Sequence, residues 1–289
     1  MLHTLRQHLK GDHSIVTVVV VTFLLVNLLL ITIDALATII GIVDDPVVRN
    51  RLYFVWLSFQ FFTILPIQWI SLIQSCRFQI EAFQNYGGAA LSIVFAFVLT
   101  GVLFQYNFPS LAEAGHYLDI AKGKDHYQST ISVENKVLRL SGSLEFGSAK
   151  KVEKAIQAHN IETLELDVTA GQLYEARQIA KLVSDLQMGV LVTSRCLTPC
   201  TLILASGRLR QVNRDALVGF QSYKILYPDP RSDWFVEQEQ SKDIRWLIDH
   251  KVSKSFVYQT FYSRTNQNFW YPELSRLVEV GYIDRINND

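Results

Sequence analysis

Apolar positions follow two different rhythms along this chain, and the change falls near residue 104. From Ile15 to Ile33, nineteen residues run with only threonine and asparagine as polar interruptions, close to the ~20 that a helix needs to cross the hydrocarbon of a bilayer. Asp34 interrupts before a second apolar stretch, Ala35 to Val43, and reads as a marker of the membrane edge, because a charge within lipid is costly. A second span, Tyr53 to Ile73, is rich in aromatics and contains Pro66, tolerated with a kink where neighbours satisfy the freed carbonyl. A third runs from Gly88 to Phe104. These runs predict an all-α membrane anchor over residues 1–104 with transmembrane helices at about 15–43, 53–75 and 88–104. A cleaved signal peptide fits the first run poorly, since its apolar core is too long and two more spans follow. Gln60 and Gln68 read as hydrogen-bond partners between helices.

Past the third span the runs shorten. Residues 105–130 hold Pro109, Gly115, Gly123 and several charges with little periodicity, and read as a linker. Residues 131–289 alternate period-two and helical patterns, which predicts an α/β domain. Thr130–Val133 and Lys136–Leu140 read as a strand pair across Glu134-Asn135, and Ser148 as the cap of a helix facing inward through Val152, Ala155 and Ile156. Strands are predicted at 163–168, 190–194, 216–220 and 282–286. Helices are predicted at 173–186, 199–206, 232–250, 253–262 and 272–280.

Charge adds an exclusion. Lys plus Arg and Asp plus Glu number 27 each, and the balance holds on both sides of residue 104. A duplex nucleic-acid binder normally shows a clustered basic face, so a nucleic-acid partner is disfavoured. The short patch of Lys150, Lys151 and Lys154 reads as the solvated face of a helix. Three spans put the N-terminus and the C-terminal domain on opposite sides of a membrane, but basic residues hardly choose between them: Arg6, Lys10 and Arg77 face one side, Arg49 and Arg51 the other. Cys196 and Cys200 lie four apart. One helical turn would bring their α-carbons within disulfide range, which suits an oxidising compartment such as the periplasm; two buried thiols are the alternative. No histidine pair has metalloprotease spacing and the cysteines lack a second ligand pair, so no metal and no cofactor are expected.

Five short pieces carry the candidate chemistry: Val168-Thr169-Ala170-Gly171, Cys196-Leu197-Thr198-Pro199-Cys200-Thr201, Gly219-Phe220-Gln221, Trp270-Tyr271-Pro272 and Gly281-Tyr282-Ile283-Asp284. In order and spacing they resemble the ClpP/crotonase superfamily, most closely its ClpP-like bacterial membrane and periplasmic members, over roughly residues 136–286. The resemblance implies a βαβ spiral with a serine-peptidase site: a Gly-Gly turn and the residue after the nucleophile as oxyanion donors, a serine nucleophile, and a histidine after Gly-Phe.

At these positions the reactive groups are substituted. The nucleophile position resembles Thr198, the imidazole position Gln221, and the carboxylate position falls near Asn266 or Asn268. A hydroxyl is a poor nucleophile without a base, and an amide cannot accept its proton. Pro199 follows Thr198 and has no N–H to offer an oxyanion, a loss that costs ~10²–10³ in rate. Ala170 narrows the backbone angles of the turn, whereas Gly171 retains them. Thr198-Pro199 also suits a helix N-cap and first turn with no chemistry. The expected function is therefore a catalytically inactive ClpP-like module on the bacterial inner membrane, its soluble domain in the periplasm. Its expected partners are the lipid bilayer, a peptide or protein segment, and further copies of itself, since the resemblance implies self-association. The alternative is a residual serine/threonine-type peptidase or other hydrolase using Thr198. A small transporter built from the three spans has little support, since they offer one acid and few other polar groups.

Overall fold

The computed structural model describes residues 14–40, 45–121, 124, 126–223, 232–262 and 269–288. The chain divides into two compact units, Met1–Leu118 and Asp119–Asp289.

Among the described residues the first unit contains three helices long and apolar enough to cross a membrane, Ile15–Asp34, Val47–Phe83 and Tyr86–Ile120; residues 41–43 of the first predicted span lie outside the described residues. The second and third, at 37 and 35 residues, exceed the ~20 a bilayer requires and extend past the predicted spans. Asp45 starts the second helix: its carboxylate accepts from the backbone N–H groups of Val47 at 2.8 Å and Val48 at 3.3 Å, with Pro46 in the first turn, where no N–H is missed. The expected linker is overturned over residues 105–121, because the third helix continues from Tyr86 to Ala121 with Pro109 inside it. A proline removes one donor and crowds one preceding carbonyl, a local cost. The inward face persists beyond it, for Asn107 and Ala114, two turns apart, are both buried.

Two stretches widen into π-helix, Val18–Leu25 and Gln60–Ile64. The second directly precedes Leu65-Pro66, where a local π turn helps re-satisfy the carbonyls that proline leaves unserved. Gln68 links the helices as expected: its Nε2 donates to the Thr22 carbonyl at 2.7 Å, and its Oε1 accepts from Asn27 Nδ2 at 3.4 Å. Asp34 is the last residue of the first of these helical spans; it is buried within the unit and accepts a hydrogen bond from the Trp56 indole.

In the second unit β1 spans Ser129–Glu134, β2 Val137–Leu144, α1 Ser148–Ala158, β3 Thr163–Gly171, α2 Leu173–Asp185 and β4 Gly189–Leu197. Then come α3 Cys200–Ala205, β5 Leu209–Asn213, β6 Leu217–Gly219, α4 Ser232–Asp249, α5 Lys254–Tyr262, α6 Leu274–Glu279 and β7 Arg285–Asn287. The described strands form one mixed sheet in the order β1-β2-β3-β4-β5-β7, with β6 also paired to β4. Only β1 runs antiparallel to its neighbour; the other pairings are parallel. The β1–β2 turn places Asn135 and Lys136 at φ 47° and 65°, the mirror-image turn that matches strand twist. β4 divides its edge: Gly189–Val192 pair with β5, and Arg195–Leu197 with β6.

Alternating buried positions, Leu138 and Leu140 on β2, Leu164, Leu166 and Val168 on β3, Val190 and Val192 on β4, meet Ile179 and Val183 of α2 in a single core. Ser148 does not cap α1; Gly147 holds that position, and the buried Glu175 of α2 accepts from the N–H groups of Gly147 at 3.0 Å and Ala149 at 2.8 Å. A carboxylate there meets both the free donors and the positive end of the helix. Strand β5 escaped the pattern because one residue of its five, Val212, is buried. The closing strand begins at Arg285, since Tyr282 and Ile283 are spent in the core.

Candidate functional site

Parallel pairing brings three of the five sequence pieces to neighbouring strand ends. Val168 of β3 lies opposite Cys196 of β4, and Cys196 and Leu197 lie opposite Val218 and Gly219 of β6. The turn at 169–171, the Thr198-Pro199 step and Phe220-Gln221 therefore all leave the carboxyl edge of the sheet, where open α/β sheets usually place ligands.

Thr198 is held there by main chain. Its N–H donates to the Gly219 carbonyl at 3.1 Å. Its hydroxyl donates to the same carbonyl at 3.4 Å and accepts from the N–H of Gln221 at 3.1 Å. These bonds continue the β4–β6 pairing through a side chain. The N-cap reading of Thr198 is thereby corrected: Pro199 precedes α3, which opens at Cys200 without a side-chain cap. The strand end competes for the hydroxyl, and its unpaired groups lie in its reach.

Cys196 and Cys200 form a disulfide with α-carbons 5.2 Å apart. The expected geometry of one helical turn is corrected, because Cys196 ends a strand and Cys200 begins a helix. The chain between them doubles back through a cis Thr198-Pro199 peptide, and both cysteines are buried.

The remaining pieces build an aromatic floor. Phe220 and Trp270 exchange backbone hydrogen bonds at 2.9 and 2.8 Å, and the Phe220 ring meets Tyr282 edge-on at 5.1 Å and Phe256 at 5.6 Å. The Tyr282 hydroxyl donates to the Thr201 carbonyl on α3 at 2.7 Å, and burial pushes its ionisation well above the ordinary phenol range. Asp284 accepts from Arg210 through its backbone N–H at 2.7 Å and its guanidinium at 2.9 Å. Partial burial opposes that carboxylate's charge, but the Arg210 bonds outweigh it and hold it below the usual range. Gly171, with φ 133°, is required by packing: a β-carbon there would fall 2.3 Å from the Leu144 nitrogen.

Open space beside Thr198 is small. A cavity of about 10 Å³ lies between Thr198, Gln221, Tyr223, Leu247 and Phe261, at the lower limit for one water. Asn266 and Asn268, expected near the carboxylate position, lie outside the described residues.

A partly buried charge network next to this cavity was missed in the sequence. Arg177 of α2 grips Asp243 of α4 through Nε at 2.8 Å and Nη2 at 2.6 Å, and also binds the Glu239 carboxylate. Tyr223, which lines the cavity, donates its hydroxyl to Asp243 Oδ2 at 2.6 Å. Burial opposes the Arg177 charge, yet Asp243 and then Glu239 raise its pKa. Burial, reinforced by the Asp243 charge, drives the Tyr223 hydroxyl well above its ordinary range, whereas Arg177 holds Glu239 low against its burial. The available signal was the spacing of Glu239 and Asp243, four apart and so on one helix face.

Comparison with known proteins gives similarity among solved structures. The chain is similar to a mutant of ClpP1 from Listeria monocytogenes, at 11% identity and a TM-score of 0.44, over 53% of this chain and 92% of that one. It is also similar to a solved structure described as an enzyme, at 12% identity and a TM-score of 0.41, over 53% of this chain and 96% of the other. No protein-family model and no curated protein matches the chain.

Proposed function

We propose that this protein is a ClpP/crotonase-like module on a three-helix anchor in the bacterial inner membrane. Its α/β unit lies in the periplasm, and it binds a protein segment or assembles with itself instead of hydrolysing a substrate. The observation that carries this reading is the bonding of Thr198, whose hydroxyl faces the Gly219 carbonyl and the Gln221 N–H. A carbonyl holds a proton in a hydrogen bond but does not remove it, so among the described residues general-base activation has no agent at this atom. Pro199 supplies no N–H beside it. The disulfide within the same segment supports an oxidising compartment.

Full-length protein in lipid bilayers, treated with a serine-hydrolase probe and a peptide library alongside a Thr198→Ala control, tests the inactive reading. Equal, background-level signal in both proteins is expected. Labelling or cleavage present in the parent and lost in Thr198→Ala would establish a hydrolase and overturn the proposal.

A further inference from the structure

We infer that the N-terminal helices hold one water molecule at a fixed site among Asn27, Gln60 and Asn107. Each of the three helices supplies one of these amides. Together with apolar neighbours such as Leu30, Ile64 and Leu103 they line a cavity of about 20 Å³. That volume admits a single water, which needs ~10–15 Å³, and no larger guest. The inference rests on packing within this unit and stands apart from the proposed function of the α/β unit.

The amides differ in what the protein already gives them. Asn27 Nδ2 is bonded to the Phe23 carbonyl at 2.6 Å. Asn107, 4% exposed, donates Nδ2 to the Leu103 carbonyl at 2.9 Å, but its buried Oδ1 meets no donor among the described residues. Gln60 Nε2 is buried and meets no acceptor among them. One free group is therefore a donor and the other an acceptor. A cation would suit Asn107 Oδ1 and be repelled by the Gln60 N–H, and an anion would meet the reverse conflict. Water accepts from Gln60 and donates to Asn107, leaving its second hydrogen for another acceptor in the ring.

The backbone is irregular at the same level. One π-helical stretch ends at Leu25, two residues before Asn27, and the other begins at Gln60 itself. Such wide turns interrupt the regular helical register and recur at functional sites. Here they coincide with the polar positions that face the cavity on the first two helices.

Full-length, isotope-labelled protein in lipid bilayers provides the test by solid-state NMR, through magnetisation transfer from water protons to side-chain amides. Gln68 is the internal control, because both its polar atoms are bonded within the protein. Transfer to the Gln60 amide is expected to be several-fold faster than to Gln68; equal rates would overturn the inference. In Asn107→Leu the Gln60 transfer is expected to fall to the Gln68 level, whereas an unchanged rate would show that Asn107 does not hold the water. Should that variant fail to fold, the Gln60 and Gln68 comparison in the unaltered protein decides alone.

Discussion

Around Thr198 the protein meets its own polar atoms, whereas Asn27, Gln60 and Asn107 line a small cavity, and one buried amide donor and one buried amide acceptor among them have no partner among the described residues. The hydroxyl of Thr198 finds Gly219 and Gln221 because strands β4 and β6 are ending there, and ending strands release main-chain donors and acceptors. Within a continuous helix those groups are already bonded along the axis. An inward-facing amide then has only its own preceding carbonyl, another side chain, or water. Polar residues in the two units thus carry different meanings: at the sheet edge they finish the backbone, and in the helical bundle they tie separate helices together.

The largest effect is expected at the network that adjoins the Thr198 cavity. Asp243→Ala would remove the partner that Arg177 and the Tyr223 hydroxyl share. Breaking a buried ion pair costs about 3–5 kcal/mol, and because Arg177 is partly exposed and keeps Glu239 the loss is expected at about 2–3 kcal/mol. Urea unfolding of the full chain in detergent measures this. A loss below about 1 kcal/mol, the range of exposed pairs, would mean that the network does not join α2 to α4.

A smaller effect is expected at Thr198. Thr198→Val keeps the branched shape but removes the acceptor for the Gln221 N–H, at a cost of about 1–2 kcal/mol, and Thr198→Ser should recover most of it. Equal stability in all three proteins would show that the hydroxyl finishes no backbone, which would erase the contrast with the helical amides.

The smallest expected response is to pH. Glu239 and Asp284 titrate below the usual carboxylate range. The stability they contribute is therefore present above the unfolded-state pKa of about 4 and is lost as pH falls through the folded values. Both side chains are about one-third exposed, at 36% and 35%, so solvent screening keeps the effect small. Tyr223 and Tyr282 are raised, and their contribution is lost as pH rises above about 10. Thermal melts across that range should show a plateau that falls at both ends; a flat acid side would argue that the Arg177 and Arg210 pairs add nothing.

Much of the architecture was legible in the pattern of residues. The three apolar runs are helices, the alternation beyond them is an α/β unit, and the segments around Thr198, Gly219 and Trp270 do meet at one edge of the sheet. The helix through Pro109 was hidden by a residue that usually stops one, and β5 by having a single buried position. That Gln221 carries an amide, which takes no proton, could be read directly, because identity alone fixes which side chains are bases.

Which atoms those groups touch was another matter. Thr198 and Gln221 are 23 residues apart, Arg177 and Asp243 66, and Asn107 comes from a different helix than Asn27 or Gln60. Local sequence sets helix, strand and turn through periodicity and backbone preference, as at Asn135-Lys136 and Asp45-Pro46. Partners across such distances are chosen only when strands pair and helices pack, since their register decides which donor reaches which acceptor.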